Sequence, residues 1–340
     1  MLLIGPPGSG KTHRVLEAVR ERLRSGRAGF RLLVPTATMA EHLRNSLARE
    51  GFVFRPSLIS TIAKFVQSIV QGATTLSGAR LDRLVADALA DFGLQTFRSV
   101  ADLAGFRAAA AAAIEELSSA GYDAVQLRSA LGTKAGPISR DFFTVYEEVE
   151  HRAAKDGLVL RGKLLKTAAA TIRAQGLADI DEVFFDGFLS FVEPEMEIID
   201  ALKQQRVHVT VTLPDWGGAL DCIERLARMG LAETRHERAR PRPDIALVKA
   251  QTQDREVEEI AARILELAAG GRAFRDMCIV VRKSDPYVPA LKATLERFGI
   301  PRATTSTSRS RATHWCATSR RRSRPRSAVG TTMQRWPHLE

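Results

Sequence analysis

The sequence has little cysteine: Cys222, Cys278 and Cys316 are the whole complement of a 340-residue chain. They lie far apart, with no CxxC pair and no metal-ligand spacing. That excludes a disulfide scaffold and a cysteine metal site, and points to a reduced, cytosolic protein. Long hydrophobic runs are also missing, so no segment could span a bilayer and no membrane is expected among the partners. The apolar opening, MLLI, is too short for a signal peptide and runs straight into GPPGSGKT. No NKxD-like guanine motif occurs, and no strand pair presents Asp and then Glu-x-Lys as a nuclease would. No repeat of fixed period is visible.

What is present is a chain 45% hydrophobic, enough for two packed domains. The net charge is +11, which invites a nucleic-acid partner. Its distribution weakens that argument. Residues 302–340 hold nine Arg and one Glu, or +8, leaving +3 for everything before them. This tail is dominated by Arg, Ser and Thr and lacks aliphatic periodicity. It reads either as a disordered basic arm for phosphate backbones or as an out-of-frame translation of a GC-rich gene, the reading preferred here. A shifted frame over residues 302–319 can encode RDYFDEPLASHPLVRYL, a plausible continuation of strand, turn and helix. The expectation is that the native product continues beyond residue 301.

Along the chain, residues 1–4 read as a buried strand, and 13–25 as a helix with apolar Val15, Leu16, Val19 and Leu23. FRLLVP (30–35) is a second strand, ATMAEHLRNSLARE a second helix, SLIST (57–61) a weaker strand and IAKFVQSIV a helix. Strand–helix alternation of this kind predicts an α/β fold with a parallel sheet. Residues 76–175 are instead Ala-rich and helical, an expected helical insertion. Strands resume at EVFFD (182–186) and VHVTVTL (207–213), so residues 1–75 and 176–238 form one α/β domain. After the Pro-rich link ARPRPD (239–244) come IALVKA, a helix over REVEEIAARILELAAGG, a strand in DMCIVVR and a helix around YVPALKATLERFG. Residues 239–301 therefore read as the start of a second α/β domain.

GPPGSGKT, comprising Gly5, Pro6, Pro7, Gly8, Ser9, Gly10, Lys11 and Thr12, fits G-x-x-x-x-G-K-[ST] in full, with a strand before it and a helix, opening on His13, after it. Glycines let backbone N–H groups curl around phosphate oxygens, and the helix turns its positive end toward the anion. Lys11 would reach the β- and γ-phosphates and Thr12 a magnesium ion, so ATP and Mg2+ are the expected cofactors. The apolar run ending in Asp186 supplies an acidic candidate, but the next residue is Gly187.

These residues resemble the UvrD-like helicase superfamily, and within it the AddB/RexB-type subunit of bacterial helicase–nuclease complexes. The resemblance rests on the N-terminal P-loop, LLVPTATMAEHLRNSL (32–47), LISTIAKFVQSI (58–69), EVFFDGFLSFVEPEMEII with its DGF, and the pair IVVR and GIP in the last α/β segment. It covers most of residues 1–301, the helical insertion in texture only. It implies a RecA-like P-loop domain, DNA and an AddA-type helicase–nuclease subunit as partners, and a role in double-strand break repair and recombination. The intact family's subunit scans DNA for a regulatory sequence and carries a nuclease. The resemblance also makes Asp186 the magnesium-linked carboxylate. It makes Arg282 an arginine offered to the γ-phosphate, against the plainer reading of a strand-end charge. Thr36 and Thr61 become DNA-phosphate donors, against the equal reading of helix N-caps.

Three departures from the family pattern bear on activity. Gly187 stands where a Glu would orient water; Glu182 is at the wrong end of the strand, and Glu193, Glu195 and Glu197 read as a solvated helix start. TLPDW (212–216) lacks the Gly-Asp-x-x-Gln arrangement that couples nucleotide to DNA. The nuclease region and its iron–sulfur cysteines are not in the sequence. The expectation is a DNA-binding subunit that holds ATP with little turnover, so whether the chain is an enzyme stays open. The alternatives are a working DNA translocase and a P-loop regulator unrelated to DNA.

Overall fold

The computed structural model describes residues 1–70, 72–76, 78–92, 94–237, 244–282, 285–306 and 313–316, the last four and 304–306 by backbone alone. The chain divides into two compact units, Met1–Arg242 and Pro243–Glu340.

The first unit opens with β1 (Leu2–Gly5), α1 (Lys11–Arg24), β2 (Phe30–Val34), α2 (Ala37–Arg49), β3 (Ile59–Thr61) and α3 (Ile62–Ile69). The SLIST strand is shorter than its sequence span, because Pro56–Leu58 is a 3-10 turn that delivers the chain to β3. A two-residue β4 (Thr74–Thr75) leads to α4 (Gly78–Phe92), α5 (Ala104–Ser119), α6 (Ala124–Leu131) and α7 (Pro137–Lys155). Then come β5 (Leu158–Val159), which pairs with β4, and α8 (Arg161–Gln175). β6 (Glu182–Phe185), α9 (Glu193–Gln204), β7 (His208–Pro214), α10 (Leu220–Arg228) and β8 (Glu233–Arg235) complete the unit.

Six strands form one parallel sheet in the order β3-β2-β6-β7-β1-β8. Strands such as LLIG and FRLLV are buried almost throughout, as they must be in a sheet covered on both faces. One face packs Leu3, Val15, Val19, Leu43 and Leu47 under α1 and α2. The other packs Phe65, Leu165, Ile172, Ile199 and Leu202 under α3, α8 and α9. β8 has no apolar alternation and was not visible in the sequence; it is held by its parallel ladder to β1.

Helices α4 to α7 share a separate core around Val85, Ile114, Tyr146 and Val149. The Tyr146 hydroxyl donates to the Tyr122 carbonyl at 2.7 Å, and burial raises its pKa. α8 does not belong to that core. Its Leu164, Leu165, Ala168, Ala169 and Ile172 face the sheet, while Leu160 just before it is the last residue of the helical core. The solvated start expected for the helix after Pro194 is corrected at Glu195. That carboxylate is buried, 2.7 Å from Arg161 Nη2, and accepts from the Val192 amide at 3.3 Å. It closes the α9 N-terminus while tying α8 to it, a role with no signature in a Glu-Pro-Glu string.

The second unit contains α11 (Gln253–Ala269), β9 (Cys278–Val281), α12 (Tyr287–Arg297), β10 (Ala303–Ser306) and β11 (Thr313–Cys316). Its core joins Val257, Ala261, Leu291 and Leu295 to Met277 and Val281. The segment read as IALVKA forms no strand; Ile245 and Leu247 are exposed. Two pieces of the span expected to be a structureless tail are strands: β11 pairs antiparallel with β9, and β10 with β11. Threonine-rich backbone suits a pleated edge. The rest of that tail, and most of the Pro-rich link, lie outside the described residues. Among the described residues no helix is long and apolar enough to cross a membrane.

Candidate functional site

In a parallel sheet every strand ends at the same edge, so the loops after β1, β2, β3, β6 and β7 share one rim. That rim gathers nearly all the residues singled out from the first unit.

The loop from Gly5 to Gly10 turns sharply between β1 and α1. Gly8 and Gly10 take φ of 78° and 92°, a conformation that suits glycine. The Ser9 amide donates to the Pro6 carbonyl at 3.1 Å, closing the turn, and Ser9 is buried beneath it while Pro6, Pro7 and Gly8 are exposed. Lys11 opens α1 and folds over the loop: its Nζ lies 2.5 Å from the Gly5 carbonyl, 3.0 Å from that of Pro6 and 3.3 Å from Ser9 Oγ. Burial lowers the Lys11 pKa, against the pull of Asp186 and Asp215. His13 turns away, 3.0 Å from Glu17 on the exposed side of α1.

Asp186 follows β6 directly and is 1% exposed. Its Oδ1 accepts from the Thr12 hydroxyl at 3.2 Å and from the Thr212 hydroxyl at 2.8 Å. Its Oδ2 is buried with no hydrogen-bond partner among the described residues. Burial raises the Asp186 pKa against these hydroxyls and Lys11. An orphaned carboxylate oxygen beside a hydroxyl and an ammonium, next to a loop of glycines at the start of a helix, is chemically a seat for an oxyanion with a hard cation. Among the described residues no group of three His, Cys, Asp or Glu side chains forms a self-sufficient metal site, so a cation here would depend on ligand oxygens. A phosphate-bound divalent ion is of that kind.

Gly187 comes next, with φ of 80° and its amide donating to Thr212 Oγ1 at 3.1 Å. A Cβ on it would lie 2.8 Å from Met39 Cε. A side chain beside Asp186 is therefore disfavoured first by the backbone, whose φ suits glycine, and it would also have to displace the end of the Met39 side chain. Glu182 is at the far end of β6, 2.7 Å from Arg22 Nη2.

Thr36 and Thr61 cap α2 and α3. Thr36 Oγ1 accepts from the Met39 amide at 3.2 Å and Thr61 Oγ1 from the Lys64 amide at 3.4 Å. They follow neighbouring strands and sit on the same rim as the loop. Arg282 lies in the second unit, exposed one residue past β9. Sequence reasoning missed Thr212 as a partner of Asp186. The signal was available in the alternation of VHVTVTL, which turns Thr210 and Thr212 in step with each other, both of them buried.

Residues 81–217 match the family model described as "ADDB, N-terminal". The chain is also similar to the B-type subunit of the ATP-dependent helicase/deoxyribonuclease of Listeria monocytogenes serotype 4a (strain HCC23), at 21% identity over 88% of this chain and 31% of that protein. The proteins of the same name from Listeria innocua serovar 6a and Listeria welshimeri serovar 6b are 21% and 20% identical over the same shares. The chain thus spans under a third of the length of these relatives. The matched region runs from the helical segment through β6 to the end of the TLPDW strand, and the weaker likeness to these subunits extends across most of the rest of the chain.

Proposed function

We propose that the first unit is a RecA-like P-loop domain with a helical insertion, and that it binds ATP with Mg2+ while hydrolysing it weakly or not at all. In this reading the chain acts as the DNA-contacting part of a helicase–deoxyribonuclease, alongside an AddA-type partner, in double-strand break repair and recombination. One observation carries the nucleotide reading: the Thr12–Asp186 hydrogen bond of 3.2 Å. It joins the first helix to a strand end 174 residues away and leaves Asp186 Oδ2 buried without a partner among the described residues.

Gly8, Ser9 and Gly10 would offer amides to the phosphates, and Lys11 would leave the Gly5 and Pro6 carbonyls for a phosphate oxygen. Thr12 and Asp186 would hold the cation, whose chemistry is to neutralise charge on the phosphates. Catalysis is held back because no carboxylate occupies the position of Gly187, and much of the barrier reduction in such reactions is the positioning of water. Thr36 and Thr61 are compatible with contacts to DNA phosphates, because an N-cap oxygen that accepts an amide proton still has its own proton to donate. Arg282 remains a candidate for the γ-phosphate by its place after β9.

The test is direct. Mg-ATP should bind measurably, and Lys11→Ala should weaken binding about 10- to 100-fold, the worth of a charge-assisted contact. Steady-state hydrolysis, with and without single-stranded DNA, should stay at background. Turnover of roughly one per second or faster that Lys11→Ala abolishes would instead establish a working motor.

A further inference from the structure

We infer that Thr212 is a positioning residue that aims Asp186 Oδ2 at the cation of a bound nucleotide; this rests on the nucleotide reading given above. A carboxylate on its own rotates readily, because its terminal torsion is broad. Asp186 is fixed by two hydroxyls on one oxygen, and the two are not equivalent. Thr12 is partly exposed at the head of α1, and its hydroxyl is the one that a nucleotide-bound cation would claim. Thr212 is 2% exposed, inside β7. Its oxygen already accepts from the Gly187 amide at 3.1 Å, so its single proton is committed to Asp186 Oδ1 at 2.8 Å. A β-branched side chain is restricted at χ1, and burial within a strand restricts it further. Thr212 therefore keeps hold of Oδ1 when Thr12 turns to a ligand, and Oδ2 stays directed into the rim.

The same strand connects this hydroxyl to the loop. β7 pairs with β1, Thr212 facing Leu3 in register, and the Asp215 amide donates to the Gly5 carbonyl at 3.1 Å. Gly5 is the residue whose carbonyl Lys11 touches. Asp186 is thus oriented from the strand that also anchors the phosphate loop, a rigid arrangement of a kind that loops alone do not provide.

The experiment is a magnesium titration of nucleotide binding, followed by calorimetry with ATP or ADP, on the full chain. Thr212→Val removes the hydroxyl at nearly constant volume, and Thr212→Ser retains it. The expected result is that Thr212→Val weakens apparent magnesium affinity roughly 10-fold or more, as loss of an outer-sphere partner does, and that Thr212→Ser restores most of it. Nucleotide affinity in EDTA should change about 2-fold or less for both, since phosphate contacts do not pass through Asp186. A wild-type chain with no magnesium-dependent binding would remove the nucleotide reading itself. A wild-type chain that shows it, with Thr212→Val identical or weakened equally with and without magnesium, would overturn the positioning role alone.

Discussion

Gly187→Glu, which restores the residue type a helicase would carry after its strand-end aspartate, is expected to leave ATP hydrolysis at background and to destabilise the protein by about 2–4 kcal/mol. Two independent costs set that figure. The backbone at Gly187 has φ of 80°, where a residue with a Cβ is strained by roughly 1–2 kcal/mol. The Cβ itself would come within 2.8 Å of Met39 Cε and 3.1 Å of its sulfur. Methionine is flexible and can yield. But Met39 sits in the first turn of α2, and its amide is the one that Thr36 caps. Moving it disturbs the start of the helix. The backbone strain cannot yield without also breaking the Gly187–Thr212 hydrogen bond. A glutamate forced into this position would not reach the geometry needed to aim a water, and misplacement of about 1 Å already costs on the order of 100-fold. Urea unfolding and a DNA-stimulated hydrolysis assay check both halves. Gly187→Ala serves as a control, isolating strain from charge. Hydrolysis appearing in Gly187→Glu would mean that the missing carboxylate was the only defect.

The turn from Gly5 to Thr12 was legible because its pattern is local: a short strand, glycines, Lys11, Thr12, then an amphipathic helix, all contiguous. The sheet was legible where strands are buried on both faces and read as near-continuous apolar runs, as in FRLLV and EVFF, each carrying one charged residue. What was not legible depends on partners distant in the chain. Thr212 looks like any strand threonine until β7 is set beside β6 and its hydroxyl meets Asp186. Glu195 looks solvated until Arg161, 34 residues earlier, is brought to it. β8 is three polar residues whose only warrant is the open edge of β1. IALVKA has the composition of a strand but meets no partner among the described residues, and composition does not supply one. The resemblance rests on the loop, residues 32–47 and 58–69, the DGF segment and the IVVR and GIP pair; the family model takes in only the DGF segment of these, and most of its stretch is the helical segment. Ala-rich helices carry little local chemistry, so single-sequence reading sees only their texture.

The junction between that helical segment and the sheet makes the second large prediction. Gly162, in the first turn of α8, is buried, and a Cβ on it would lie 1.6 Å from the Ser118 carbonyl oxygen and 2.6 Å from its carbon. Both are backbone atoms near the end of α5, so no rotamer relieves the clash. Gly162→Ala gains up to about 1 kcal/mol of helix propensity, and less this close to a helix start. The steric term should dominate, because separating the helices by an ångström or more opens the packing on both sides. Ser118 belongs to the buried face of α5, and Leu164 and Leu165 seat α8 on the sheet. A net loss of about 3 kcal/mol or more is expected, at the upper end for overpacking. It should appear as a lower urea midpoint at unchanged slope if the native and unfolded states keep their exposed surface. Gly162→Ser should be at least as damaging, since its larger side chain meets the same carbonyl. A Gly162→Ala protein as stable as the wild type would show that α5 and α8 do not approach at this point. The order in which the helices hand the chain back to β6 would then need a different packing.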